Sequence, residues 1–276
     1  MKVDAHQHFW NPDKVAYPWL GPQHGPIYRT FEPEELEPEL RAAGIGKTVL
    51  VQSANSYEDT EAMLRQAERY EWIGGVVGWV PLLEPKEAEE KLKRWSKLPA
   101  FKGIRHLIHD EPDPDWILQD KAIEGLKVLA AYDMTYDVVA VFPNHLKHVP
   151  LLAEKVPGLK LVIDHLAKPP IADKGWEPWA EQLARAAQYP NVYAKISGLN
   201  TAASADWSAE DLQPYIDHAV KSFEAERLMF GSDWPVALLA GDYAQVWNET
   251  NRALARYSDS EKAAILGGTA ARFYNL

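Results

Sequence analysis

Four side chains carry chemistry that becomes useful only if the fold brings them together. His6 and His8 stand two apart in Val3-Asp4-Ala5-His6-Gln7-His8. On a strand, side chains i and i+2 point the same way, so the two imidazoles share a face from which Gln7 turns away. Such a pair can grip a divalent metal or polarise a carbonyl oxygen. The plain alternative is two histidines hydrogen-bonded to backbone carbonyls. A second apolar run, Lys160-Leu161-Val162-Ile163-Asp164-His165, ends in another histidine. A third, starting at Arg227, ends in Asp233 just before Trp234 and Pro235. A lone aspartate in such a place is commonly a turn or helix cap. Four groups at three separate strand ends are harder to dismiss, because a closed barrel would make them converge.

The elements that must position these groups alternate regularly. Short Val/Ile-rich runs fall at residues 3–8, 48–54, 74–81, 102–107, 134–142, 160–165, 192–197 and 227–233, about one every 32 residues. Between them, apolar residues recur at three- and four-residue steps over 59–70, 87–98, 120–132, 176–189, 209–223 and 242–257, the spacing of amphipathic helices. Strands apolar on both faces, alternating with helices, indicate a parallel sheet covered by helices. Eight such units predict an α/β fold of the (β/α)8 TIM-type barrel class, one domain over residues 1–276, with chemistry at the strands' C-terminal ends. A doubly wound open sheet is the competitor. Its nucleotide-binding version is weakened because no GxGxxG follows the first strand and no P-loop occurs. Ser258-Asp259-Ser260-Glu261 forms a capping box that opens a last helix towards Tyr274.

Composition narrows the function classes. With 46% hydrophobic and 25% charged residues, the chain has the make-up of a globular enzyme, which excludes disorder and fibres. No apolar run approaches the roughly 18 residues of a membrane span, and no apolar leader is seen, so a cytoplasmic location is expected. Zero cysteines exclude disulfides, thiolate metal sites and thiol nucleophiles. A formal charge of −11 argues against nucleic-acid and anionic-membrane partners and leaves a small molecule as the expected partner. A homo-oligomer remains possible. Eleven tryptophans suggest stacking on flat or sugar-like ligands.

Further candidates surround the four. Arg105, His106 and His109 cluster at and after the fourth strand, where a guanidinium could neutralise an oxyanion or instead pair with a barrel acid. Lys195 lies inside the seventh strand, where an unpaired ammonium is costly to bury. It must therefore pair with an acid such as Asp233 or point at the ligand. Lys168 follows His165 and is either a site cation or a surface lysine. The long aromatic stretch 9–30, with Trp10, Tyr17, Trp19 and His24, should arch over the barrel mouth as a fixed cover. Trp19 or Trp234 would stack on a ring-shaped substrate, whereas Trp10 reads as packing. His145, His148 and His218 read as structural.

The motifs VDAHQHFW (3–10), YPWL (17–20), GIRH (103–106), VIDHLAKP (162–169), AKISGL (194–199) and MFGSDWPV (229–236) resemble, in this order, the amidohydrolase superfamily. Within it they are most similar to amidohydrolase-related family 2 and its sugar lactonases acting on fucono- and rhamnono-lactones. The resemblance implies a (β/α)8 fold and hydrolysis by a water held between a metal or histidines and the last-strand aspartate. Dinuclear members carry a bridging lysine on the fourth strand and a histidine on the fifth. Here those strands offer Arg105 and Asp137. The expected metal set is therefore His6, His8, His165 and Asp233, holding at most one divalent ion, zinc first, with no firm requirement for it. Asp233 is the expected base, returning the water's proton to the ring oxygen, with His165 polarising the carbonyl. Three rival readings remain: a metal-dependent decarboxylase of aromatic acids, a lactonase for pyrone- or muconolactone-type substrates, and a carbohydrate-binding barrel without chemistry.

Overall fold

The computed structural model describes residues 1–276. Eight parallel strands stand side by side in sequence order: β1 (Lys2–Gln7), β2 (Ile45–Val51), β3 (Ile73–Gly78), β4 (Phe101–His106), β5 (Thr135–Val138), β6 (Lys160–Ile163), β7 (Val192–Ile196) and β8 (Leu228–Phe230). Helices α1 (Pro33–Ala43), α2 (Tyr57–Arg69), α3 (Pro85–Trp95), α4 (Asp120–Ala131), α5 (Val149–Lys155), α6 (Trp179–Ala187), α7 (Ala209–Phe223) and α8 (Tyr243–Ala253) cover them, followed by α9 (Asp259–Ala263) and α10 (Thr269–Tyr274). This is the (β/α)8 barrel the alternation predicted. No helix is long and apolar enough to cross a membrane.

Seven neighbouring strand pairs form ladders, and the eighth seam is different. β8 meets β1 only at the mouth, where His8 N donates to Trp234 O at 2.7 Å and Asp233 N to His6 O at 2.8 Å. Asp4 reinforces this seam: its Oδ1 accepts from Ser232 N at 2.8 Å and His6 N at 3.2 Å, and its Oδ2 accepts from Tyr243 at 3.2 Å. The closure of the barrel and the placement of His6, His8 and Asp233 are thus one set of bonds.

Inside the barrel, Val3, Ala5, Val49, Val51, Val77, Val162 and Met229 form a small apolar cluster with Phe273 and Tyr274 of α10. The main apolar layer lies between strands and helices. At Gly267 the final helical region breaks into a wide turn between α9 and α10, instead of the continuous helix expected. A Cβ there would lie 2.2 Å from Met1 O, so glycine permits this turn to press on the start of β1.

The strands are shorter than the apolar runs suggested. β5 stops at Val138 rather than 142, β6 at Ile163 and β8 at Phe230. His165 and Asp233 therefore sit on the loops just past their strands. The reason is local: His165, Leu166, Ala167 and Lys168 all have positive φ (55°, 48°, 63° and 55°), as does Asp233 (59°). A left-handed backbone cannot continue a strand. At about 1–2 kcal/mol per non-glycine residue, the surroundings must hold the 165–168 turn in place. Trp179 Nε1 donates to Leu166 O at 2.8 Å and Phe142 N to Ala167 O at 2.9 Å.

Candidate active site

The i, i+2 expectation at the end of β1 holds. His6 Nε2 and His8 Nε2 face each other at 3.1 Å, while the Gln7 amide turns away to Thr48. His8 Nδ1 bonds Val51 O at 2.7 Å. A carbonyl only accepts, so Nδ1 carries the proton and His8 presents a lone pair at Nε2. Asp233 Oδ1 lies 3.4 Å from His8 Nε2, 3.8 Å from His6 Nε2 and 3.9 Å from His165 Nε2. His165 is steadied from behind by Ser197 Oγ, 2.8 Å from its Nδ1. All four groups are buried, and Asp233 Oδ2 has no hydrogen-bond partner.

This closeness depends on a residue the sequence did not flag. Gly198 has φ +56°, and a Cβ on it would lie 2.7 Å from both Asp233 Oδ2 and His165 Nδ1. Only glycine tolerates both the conformation and the contact.

Electrostatics give the four groups distinct states. Burial alone would raise the Asp233 pKa; His165, the His8 hydrogen bond and Lys168 outweigh it and hold the carboxyl well below the usual carboxylate range. Burial lowers the His165 pKa to about 4 and depresses His8 and His6 too. Burial thus favours the neutral form of each imidazole, while the surrounding cations and donors favour the ionised form of the Asp233 carboxyl.

Beneath it lies a second layer of charge. Lys195 is fully buried and donates to Asp137 Oδ2 at 2.5 Å and His6 Nδ1 at 3.0 Å, with Asp164 Oδ1 at 3.1 Å. Arg105 donates to Asp164 Oδ2 at 3.1 Å and to Gln52 O. Tyr274 donates to Asp137 from the opposite end of the barrel. Lys195 therefore pairs with Asp137 and Asp164 rather than Asp233, and does not reach the cavity; its expected part in substrate binding is corrected. Asp164 was the acid to find. It faces inward just past the end of β6, next to the more conspicuous His165, and nothing local in the sequence marks it as the partner of Lys195.

Above the centre a cavity of about 360 Å³ opens, within the usual size for small-molecule sites. His8, Arg105, Asp164, His165, Lys168 and Asp233 line its depth, and His109, Trp19 and His24 its sides. Leu107, Val139, Ala140, Val141, Val236 and Leu239 make apolar walls. The expected cover is present: Trp19 Nε1 donates to Ser53 O at 2.7 Å, and Tyr17 to Asp59 Oδ1 at 3.0 Å. Trp19 meets Trp10 edge-to-face at 5.3 Å. Lys168 reaches in from the left-handed turn, donating to Thr201 Oγ1 at 2.8 Å.

Two other candidates are not at the cavity. Trp234 is buried edge-on against Phe9 and Phe31, at 5.8 and 5.2 Å, because the chain carries it beneath the cover. His106 accepts from Trp79 at Nδ1 (3.0 Å), bonds Glu111 at Nε2 (2.8 Å) and stacks on Trp116 at 4.1 Å, which satisfies both nitrogens away from the mouth. His145, His148 and His218 bond backbone carbonyls, as their structural reading required.

The amidohydrolase family profile matches residues 3–276. The chain belongs to the amidohydrolase family. It is 37% identical over 280 residues to an L-fucono-1,5-lactonase of Burkholderia ambifaria, covering 100% of this chain and 96% of that protein. An L-fucono-1,5-lactonase of Burkholderia multivorans is likewise 37% identical over 290 residues, with the same coverage. A crystal structure of an amidohydrolase from Burkholderia multivorans with bound zinc superposes with a TM-score of 0.92 at 36% identity, covering 100% of this chain and 99% of that one.

The donor set of this amidohydrolase fits a metal ion. Ligand atoms on a tetrahedral zinc stand about 3.3 Å apart, given bonds near 2.0–2.1 Å. The His6–His8 and His8–Asp233 separations of 3.1 and 3.4 Å match that edge, whereas Asp233 stands 3.8 Å from His6 and 3.9 Å from His165. His6, His165 and Asp233 offer ligand atoms that all lie within 4.8 Å of one another. The unpartnered Asp233 Oδ2 is a further acceptor available to it.

Proposed function

We propose that the protein hydrolyses a small sugar-derived lactone, an aldonolactone of the fucono- or rhamnono- type, to its open-chain acid. The observation that carries this reading is Asp233: a carboxylate with one unpartnered oxygen, within 3.4–3.9 Å of three imidazoles at the base of a sugar-sized cavity. Full-length likeness to two L-fucono-1,5-lactonases supports the substrate class.

Asp233 takes a proton from a water as that water attacks the lactone carbonyl carbon. His165, accepting from Ser197 at Nδ1, donates from Nε2 to the carbonyl oxygen on which charge develops. The acyl–oxygen bond then breaks, and Asp233 returns its proton to the departing ring oxygen, so one residue serves both steps. Trp19 and His109 face the sugar, and Lys168 offers N–H groups to its hydroxyls. His6, His8, His165 and Asp233 would hold one divalent ion, zinc first, and a bound ion supplies Lewis-acid polarisation. This reading sets no firm requirement for the ion, because a strained lactone is already reactive and His165 supplies a donor to the carbonyl oxygen.

The test is acid release from a panel of aldonolactones, run with and without chelator, beside carbon dioxide release from aromatic acids. Lactone turnover well above the spontaneous rate is expected. Decarboxylation without lactone turnover would overturn the proposal.

A further inference from the structure

The cover is fastened to the loop between β2 and α2 at two points, and both lead to one carboxylate. Tyr17 donates its hydroxyl to Asp59 Oδ1 at 3.0 Å, and Trp19 Nε1 donates to Ser53 O at 2.7 Å. Ser53 is in turn held by Asp59, whose Oδ2 accepts from Ser53 N at 2.7 Å and from Ala54 N at 3.2 Å. The run Tyr17–Asp59–Ser53–Trp19 therefore closes on itself through Pro18, whose ring fixes its φ. Asp59 stands in the first turn of α2, where its own N–H donates to the Ser56 hydroxyl at 3.2 Å. A helix N-terminus favours a negative charge at that place. Three donors meet its two oxygens, and the side chain is buried.

The four residues divide by what they face. Trp19 and Ser53 line the cavity, whereas Tyr17 and Asp59 do not. An acid that merely braced its own loop would need only the Ala54 and Ser53 amides, five and six residues behind it. The bond from Tyr17, 42 residues away, has no part in that loop and ties it to the cover. We propose that Asp59 is a positioning residue for substrate binding: from outside the cavity, its carboxylate sets the place of Trp19 in the wall, through Tyr17 on one side and Ser53 on the other. Without the Tyr17 bond, the Trp19 indole is the cover's one remaining hydrogen bond to this loop. Without Asp59, the carbonyl that receives the indole loses its hold as well. The inference rests on the proposed function in taking Trp19 as a wall against the sugar, and its first test needs no substrate.

Exchange of indole N–H protons with solvent, followed by ¹H–¹⁵N NMR, reads the positioning directly. The Trp19 signal is the one that Trp19→Leu removes. Trp10, whose Nε1 donates to Arg29 O at 2.8 Å, is the internal reference, assigned through Trp10→Phe. Tyr17→Phe should speed Trp19 exchange about tenfold relative to Trp10, the worth of one hydrogen bond. On an aldonolactone, Tyr17→Phe should raise KM about threefold and Asp59→Ala about tenfold, with kcat within about twofold. In a Trp19→Leu background both increases should shrink below about twofold, because the side chain being positioned is gone. A brace for the fold alone would lower stability in urea and leave KM and the Trp19 signal unmoved. The proposal is overturned if Tyr17→Phe leaves Trp19 exchange at the wild-type rate, if KM does not rise, or if the rise persists undiminished with Trp19 replaced. Should Asp59→Ala fail to fold, Tyr17→Phe decides, since it keeps the ring and loses only a hydroxyl. Absence of lactone turnover by the wild type would count against the proposed function, and the exchange comparison would still decide whether Asp59 positions Trp19.

Discussion

The floor and the mouth of the barrel are built on opposite terms. In the floor, nearly every charge is answered: Lys195 by Asp137, Asp164 and His6, Arg105 by Asp164, and Asp137 additionally by Tyr274. In the mouth, a few ångströms away, Asp233 keeps an oxygen without a partner, and the 165–168 turn holds four left-handed residues. A paired, buried ionic layer is costly to disturb, and it ties together the ends of β1, β4, β5, β6 and β7. Left-handed, strained backbone collects at the mouth, where a ligand can bind. The difference separates residues that frame the chemistry from residues that perform it, and substitutions in the two layers should fail in different ways.

The largest effect is expected at the mouth. Asp233→Asn is nearly isosteric but cannot take a proton from water, so kcat on a fucono-lactone should fall on the order of 10²–10⁴-fold with the circular dichroism spectrum unchanged. Retention of more than about a tenth of kcat would move the base elsewhere, with His165 the first to test. Gly198→Ala comes next. Its methyl would press on Asp233 and His165 at 2.7 Å, and kcat should drop about tenfold or more, with about 1–2 kcal/mol of stability lost by urea denaturation. An unaffected kcat would mean that the close packing of the two groups is incidental.

In the floor the pattern should invert. Tyr274→Phe removes a donor from the buried Asp137, and unfolding free energy should fall by about 1–3 kcal/mol while kcat stays within about threefold. A large loss of kcat with full stability would erase the distinction between the layers. The smallest effects separate two tryptophans. Trp19→Leu should raise KM about three- to tenfold through lost ring contact, whereas Trp234→Phe, away from the cavity, should leave KM within about twofold. Equal KM changes would show that the cover acts as one packed unit.

What the sequence made legible follows the same division. Strand alternation and the i, i+2 histidines disclosed the barrel and the mouth, since both depend on local period. His165 and Asp233 were found by their position after apolar runs, although both proved to lie past the strand ends. The floor was less visible, because the partners of Lys195 are set by the register of β5, β6 and β7 and not by anything near it in the chain. Asp137 is 58 residues away from Lys195 in sequence and bonded to it at 2.5 Å. Trp19 and Trp234 offered the same side chain near the same motifs; only the path of the cover decides which one faces the cavity. His106 was misplaced for a similar reason, because its neighbours Trp79, Glu111 and Trp116 come from separate loops.

In the proposed hydrolysis Asp233 acts as a base on water rather than as a nucleophile. A single turnover in ¹⁸O-labelled water, with enzyme in excess over the lactone, tests it most directly by mass spectrometry of both product and protein. Base action by Asp233 places one ¹⁸O in the product carboxylate and none in the peptide that carries Asp233. Unlabelled product with ¹⁸O in the Asp233 carboxyl would contradict it.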